Sequence, residues 1–289
     1  MRTRRAEQDH DAAWVIVDNV DHGVQSCGAV RMCDHVADLG HLRAAPMTER
    51  QITRWELEGV SGAVVVVDVL RAFTTAAYAF GAGAETIYLV SEVEEALSFK
   101  DEHPGVLAMG ESHGLRPVGF DFSNSPAALH RADLVGRTLV QRTSSGTQGV
   151  IGAAEADRAW AASLVCASAT AAAVTAAAIG PPTYVITGCF PDAPDTTGQD
   201  DRLTAALIER SRRGQPLDSA ATSAALHETL EAKRSLALGP EHCDPIDIAL
   251  AGRVDHFDFA MEVVRSKRGL RLQPVGRHDE TGSACSVVR

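Results

Sequence analysis

Four short segments of the chain carry side chains suited to holding an anion or a hard cation. The first is Asp68-Val-Leu-Arg71-Ala-Phe-Thr74-Thr75, which directly follows the apolar run 63–67. A carboxylate at the end of a buried strand is costly unless a metal, a cation or backbone donors satisfy it. Thr74 and Thr75 fall at the start of an expected helix, where free N–H groups and the dipole favour anions. The segment reads either as a metal-binding Asp68 beside phosphate-binding Arg71 and hydroxyls, or as a buried Asp68–Arg71 pair with a threonine cap. The second is Arg142-Thr-Ser144-Ser145-Gly146-Thr147, whose hydroxyls and glycine suit an anion nest, or an ordinary helix cap.

The third segment joins Gly110-Glu111-Ser112-His113-Gly114 to Gly119-Phe-Asp121-Phe-Ser-Asn124-Ser-Pro126. Glu111 is a plausible metal ligand or base, and Asp121 and Asn124 are further candidate ligands. The competing reading is turn chemistry, because Asn-Ser-Pro favours a turn followed by a helix start. The fourth holds Asp192, Asp195, Asp200 and Asp201. Acidic loops are usually solvated and helix N-terminal aspartates are expected from the dipole, so only Asp200 or Asp201 is given a functional role. His113 is the one histidine that falls in a candidate loop.

These segments need a scaffold that presents strand ends. The β-branched run 63–67 predicts a strand buried on both faces of a parallel sheet. A helix over 72–80, a strand over 86–90 and a helix over 91–100 follow, with Ser91 as N-cap and Glu94 in the capping box. Further strands are expected at 106–109, 138–142, 161–167 and 183–187, and a helix at 147–156. Residues 189–199 read as a loop, followed by helices over 200–213 and 219–231. An apolar segment spans 259–264 and a last strand 270–275. Helical character appears over 48–58 and a short strand over 14–17. The alternation predicts a three-layer α/β/α fold with mainly parallel sheet, and the similar units at 64–80 and 138–156 allow two similar halves. Active sites of such folds lie at the carboxyl ends of the strands. The organisation expected is an N-terminal extension over 1–45, a catalytic region over 46–276 and a frayed terminus over 277–289.

The 289 residues carry 27 Lys and Arg against 38 Asp and Glu, a formal charge of −11. That balance argues against a general nucleic-acid binder but leaves room for a small anion held by a local arginine cluster. Six cysteines without a C-x-x-C pair read as reduced thiols of a cytoplasmic protein. No secretory leader or membrane span is expected. No P-loop and no G-x-S-x-G occur. Leu70 stands where a dehalogenase-type D-x-D would need its second aspartate, and no cysteine is followed six residues later by arginine.

In order and spacing, the blocks 64–75, 110–111, 119–126 and 136–147 resemble the 2-phosphosulfolactate phosphatase family over about residues 60–275. The resemblance implies an Mg²⁺-dependent phosphatase that converts 2-phospho-3-sulfolactate to 3-sulfolactate and phosphate, a step of coenzyme M biosynthesis. Carried over, it implies Asp68, Arg71 and Glu111 as catalytic residues. Asp68, Glu111, Asp121 and Asp201 would be metal ligands. Arg71, Thr74, Thr75, Asn124, Gly146 and Thr147 would bind the phosphomonoester by this resemblance, and Arg142, Ser144 and Ser145 by the anion-nest reading of their turn. Ser145 replaces the asparagine usual in the family's turn, and 188–201 departs from its shorter glycine-bearing stretch. A sulfonated substrate calls for a second arginine, with Arg116 or Arg142 the candidates. The alternatives are a phosphatase of another phosphorylated hydroxy acid and a non-catalytic anion-binding protein on the same fold. A homodimer is the common default.

Overall fold

The computed structural model describes residues 50–276; the expected strand at 14–17, the extension over 1–45 and the terminus over 277–289 lie outside them. The elements run β1 (Arg50–Thr53), β2 (Ala63–Val67), α1 (Ala72–Gly81), β3 (Thr86–Leu89), α2 (Val93–Glu102), β4 (Leu107–Gly110), β5 (Phe122–Ser123), α3 (Pro126–His130) and β6 (Thr138–Arg142). They continue with α4 (Gly146–Gly152), β7 (Arg158–Ala162), α5 (Ala167–Ala177), β8 (Thr183–Ile186), β9 (Cys189–Phe190), β10 (Ala193–Thr197) and α6 (Gln199–Arg212). Last come α7 (Ser219–Glu228), α8 (Leu230–Ala237), α9 (Pro245–Ala251), β11 (Ala260–Ser266) and β12 (Gly269–Val275).

β2 is buried on both faces because its alternate residues enter different cores. Val64 and Val66 join α1 and residues such as Ile87 and Leu139 in one. Val65 and Val67 pack with Ala171 and Val174 of α5 and Ile208 of α6 in the other. Farther along the sheet, Tyr88, Ala108 and Val140 pack with Ala96 of α2. Helices therefore cover both faces, and the fold is α/β with three layers.

The ten-stranded sheet has the order β1-β8-β2-β7-β11-β12-β3-β6-β4-β5. It contains two parallel halves, β1-β8-β2-β7 and β3-β6-β4-β5. The hairpin β11–β12 pairs antiparallel with β7 on one side and β3 on the other. Three successive antiparallel pairings make the halves run in opposite directions. Their carboxyl ends would lie at opposite edges of a flat sheet. Yet Gly146, after β6, lies against Asp68, after β2. The sheet therefore curls around α1, whose buried face shares one core with both halves.

Several local expectations are corrected. Residues 48–58 do not form a helix: Arg50–Thr53 pairs with β8 and only Arg54–Glu56 makes a 3₁₀ turn, closed by Glu56 accepting the Thr53 N–H and hydroxyl. Pairing with a neighbouring strand here outweighs local helical pattern. The strand expected at 161–167 is Arg158–Ala162, in register with β2, and Leu164–Cys166 turns as a 3₁₀ helix. The capping box of α2 is shifted by one residue, with Glu95 Oε2 accepting from the backbone of Ser91 and Glu92. The helix expected at 147–156 stops at Gly152. The loop over 189–199 contains the short β9–β10 pair. The helix expected over 219–231 is broken at Thr229, whose hydroxyl accepts from Ala232 to start α8.

Leu272 is fully buried in the strand that joins the halves. Leu272→Ala should cost about 2–5 kcal/mol, read as a lower urea midpoint. An unchanged midpoint would show that the hairpin does not hold the halves together.

Candidate active site

Asp68 emerges from β2 at the junction of both halves and is 6 % exposed. Its Oδ1 accepts the Ala72 N–H at 2.9 Å, capping α1. The Thr187 hydroxyl lies 3.2 Å from Oδ2. A Cβ on Gly146 would stand 2.7 Å from Asp68 Oδ2 and 2.7 Å from the Ala72 methyl, so only glycine admits this approach. Burial pushes the Asp68 pKa up to about 6; the Glu111 charge adds to the rise, and the N–H groups of Ala72 and Gly146 and the Thr187 hydroxyl oppose it.

Asp201, in the first turn of α6, ties the ends of β2 and β8 together. Its Oδ1 accepts from Val69 N at 3.0 Å, and its Oδ2 from Thr187 N at 3.0 Å and Gly188 N at 2.9 Å. Asp200 accepts from Leu70 N through Oδ2 at 3.2 Å, while its buried Oδ1 has no hydrogen-bond partner. Burial raises both pKa values well above the ordinary carboxylate range; the Asp201 charge is the next contribution at Asp200, and the Asp68 charge is the next at Asp201.

Glu111 follows Gly110, whose φ is +132° and whose Cβ would collide with the Arg142 carbonyl oxygen at 1.8 Å. That glycine lets β4 lie tightly beside β6 at the point where Glu111 departs. Glu111 Oε1 accepts from Ser144 N at 2.5 Å, and Oε2 from Gly114 N at 2.6 Å and the Ser144 hydroxyl at 3.0 Å. The glutamate thus binds its own loop to the turn after β6.

The remaining residues singled out from sequence fall into three groups. Arg71, which follows a cis Leu70–Arg71 peptide bond, donates from Nη1 to Asp247 at 2.8 Å, and both side chains are buried. Asp247 also accepts from the Ser125 hydroxyl at 2.7 Å and Ala127 N at 3.0 Å. The Asp68–Arg71 pair considered from sequence does not form; Arg71 finds its carboxylate 176 residues away. Thr75 Oγ1 and Asn124 Oδ1 are buried with no hydrogen-bond partner.

A second group is absorbed in local structure. The Thr74 hydroxyl bonds the Val69 carbonyl and the Ser163 hydroxyl. Thr143 and Thr147 bond each other's backbone N–H through their hydroxyls. Arg142 donates from Nε to Ser91 O at 3.0 Å and from Nη1 to Glu111 O at 2.9 Å. Ser145 is the N-cap of α4 without a side-chain capping bond. The last group lies apart: Asp121 is ion-paired to Lys100 at 2.8 Å and accepts from Ala108 N at 2.7 Å. Among the described residues no contact joins Asp121 to Asp68, Glu111 or Asp201. Arg116 is bonded weakly to the Asp121 carbonyl, at 3.5 Å.

Asp68, Glu111, Asp200 and Asp201 form no ion pair among the described residues. Also among these, no group of three or more His, Cys, Asp and Glu side chains converges enough to hold a metal unaided. Hard carboxylate oxygens with one buried orphan nevertheless fit Mg²⁺, which is commonly held by one or two carboxylates, with water and phosphate oxygens completing the shell.

Fold and site together define an α/β/α protein with buried acidic side chains at its strand ends. The chain belongs to the 2-phosphosulpholactate phosphatase family, whose model matches residues 49–258. It is similar to proteins named "Probable 2-phosphosulfolactate phosphatase" from Bacillus subtilis and Thermus thermophilus. The first is 40 % identical over 92 residues, covering 32 % of this chain and 40 % of the relative. The second is 47 % identical over 91 residues, covering 32 % and 38 %. These alignments thus span about two-fifths of either relative's length. A Thermoplasma acidophilum protein of the same name is 29 % identical over 200 residues, covering 69 % of this chain and 85 % of its own.

Thr187 and Asp247 were not marked as site residues by any sequence motif. Thr187 ends a strand with no neighbouring signal, and Asp247 looks like an ordinary first-turn aspartate. Asp247→Ala should destabilise the protein by about 3–5 kcal/mol by leaving Arg71 buried and unpaired, measured by urea unfolding. A loss below about 1 kcal/mol, the value of an exposed pair, would contradict this.

Proposed function

We propose that the chain is an Mg²⁺-dependent phosphatase of a small, multiply anionic phosphomonoester, with 2-phospho-3-sulfolactate as its substrate. The observation that carries this reading is Asp68, buried where the two halves meet, within electrostatic reach of Glu111, Asp200 and Asp201, with no ion pair of its own. Membership of the family and the names of the relatives support the substrate. In the reaction water supplies the oxygen that bonds to phosphorus, the P–O ester bond breaks, and the alcohol oxygen of sulfolactate takes a proton.

Asp68, with Glu111 or Asp201, would hold the ion, which when bound supplies positive charge to the phosphoryl oxygens. Arg71 has further N–H groups beyond the one given to Asp247, and the buried bond to Asp247 fixes its direction. A preorganised cation of this kind needs no rearrangement as negative charge develops. Gly146 brings the turn after β6 against Asp68, so residues of both halves border one site.

Phosphate release from 2-phospho-3-sulfolactate is the test. It should require Mg²⁺ and stop with EDTA. Asp68→Asn should lower kcat by about 10²-fold or more, roughly 2.7 kcal/mol in the barrier. Turnover in EDTA, or near-wild-type kcat in the variant, would refute the assignment.

A further inference from the structure

The strand ends β1, β8 and β2 place an arginine beside the site that no motif had marked. In the register of these parallel strands Thr53 pairs with Ile186, and Ile186 with Val67. The next row outward is therefore Arg54, Thr187 and Asp68, and the Thr187 hydroxyl bonds Asp68. Two strand spacings, about 10 Å, separate the outer backbones of this row.

Arg54 is held by aromatic faces rather than by acids. Its guanidinium carbon lies 3.9 Å from the centroid of the Trp55 ring and 5.1 Å from that of Phe190. Trp55 is fixed in turn by its Nε1–H donating to Cys189 O at 3.1 Å. Buried Arg54 Nε has no hydrogen-bond partner, and Arg54 forms no ion pair among the described residues. The Asp68 charge reaches this guanidinium. An arginine that is positioned, partly desolvated and unpaired beside a catalytic carboxylate has its fork available for an anion.

The two arginines expected from sequence serve other groups: Arg142 spends two nitrogens on carbonyls, and Arg116 lies on the Asp121 carbonyl. We propose that Arg54, clamped between Trp55 and Phe190, binds the sulfonate of the substrate and sets specificity for it. This rests on the phosphatase reading above for the position of the phosphate. A guanidinium is weakly hydrated and stacks on aromatic rings. It thus suits a weakly basic sulfonate, whereas the phosphoryl group needs the harder cation that Asp68 would hold.

Arg54→Gln removes no protein hydrogen bond of Arg54 among the described residues, so the fold should survive. Two phosphomonoesters separate the roles: 2-phospho-3-sulfolactate, and 2-phospholactate, which keeps the carboxylate and lacks the sulfonate. In Arg54→Gln the KM for the sulfonated ester should rise about 10- to 100-fold, the range of a lost charge-assisted hydrogen bond. Its kcat should stay within a few-fold, and hydrolysis of 2-phospholactate should be unchanged. Equal losses on both esters, or none on the sulfonated one, would overturn the assignment. Calorimetric titration with 3-sulfolactate and with lactate reads the same contact without turnover. The wild type should bind 3-sulfolactate at least tenfold more tightly, and Arg54→Gln should lose that preference. If the wild type hydrolyses neither ester, the phosphatase reading fails. The titration then decides Arg54 alone: a preference retained by Arg54→Gln, or absent from the wild type, overturns the sulfonate assignment.

Discussion

The Asp68 carboxylate is buried at the one point where both halves of the sheet, the start of α1 and the Asp201 strut all meet. Its Oδ1 receives the Ala72 N–H, Thr187 stands against its Oδ2, and Gly146 closes over it from the other half. A single buried carboxylate satisfied by backbone donors is tolerable. Here the Glu111 charge acts on Asp68, and the Asp68 charge acts on Asp200 and Asp201. None of the four acids has an ion pair among the described residues, so backbone N–H groups and hydroxyls carry much of the cost of burying them. The glycines at 110 and 146 follow from the same constraint, since the loops must approach more closely than a methyl group allows.

The architecture supplies this junction through an unusual bridge. Two parallel halves of opposite direction cannot bring their carboxyl ends together in a flat sheet. The antiparallel hairpin joins them, and curvature around α1 completes the approach. Each half contributes what the other lacks. Asp68 and Arg71 follow β2 and Asp201 lies in the first turn of α6, while Glu111 follows β4 and Gly146 opens α4 after β6. Arg71 is further tied to α9 through Asp247, so this late helix fixes one end of its guanidinium.

Much of this was legible from local patterns. The uniform β-branched run ahead of Asp68 marked a doubly buried strand, and strand–helix alternation marked the α/β layers. Gly110-Glu111 stood out as an acid directly after a strand, and the turn 142–147 as hydroxyls and a glycine between a strand and a helix. Partners distant in sequence could not be read this way. Asp247 resembles any first-turn aspartate until it is found against Arg71, and Arg54 becomes notable only when β1 aligns with β8. The hydroxyls of Thr74, Thr143 and Thr147 bond neighbouring groups, partners that hydroxyl density alone does not show. Asp121 attracted attention as an acid in a long loop, and its bond to Lys100 depends on the packing of α2 over β4.

The central claim is that the uncompensated charge around Asp68 is completed by a divalent cation. Calorimetric titration of the protein with Mg²⁺, in wild type and Asp68→Asn, measures this without any substrate. The account predicts saturable binding of Mg²⁺ to the wild type that is lost in Asp68→Asn. Equal binding by both proteins, or none by the wild type, would contradict it.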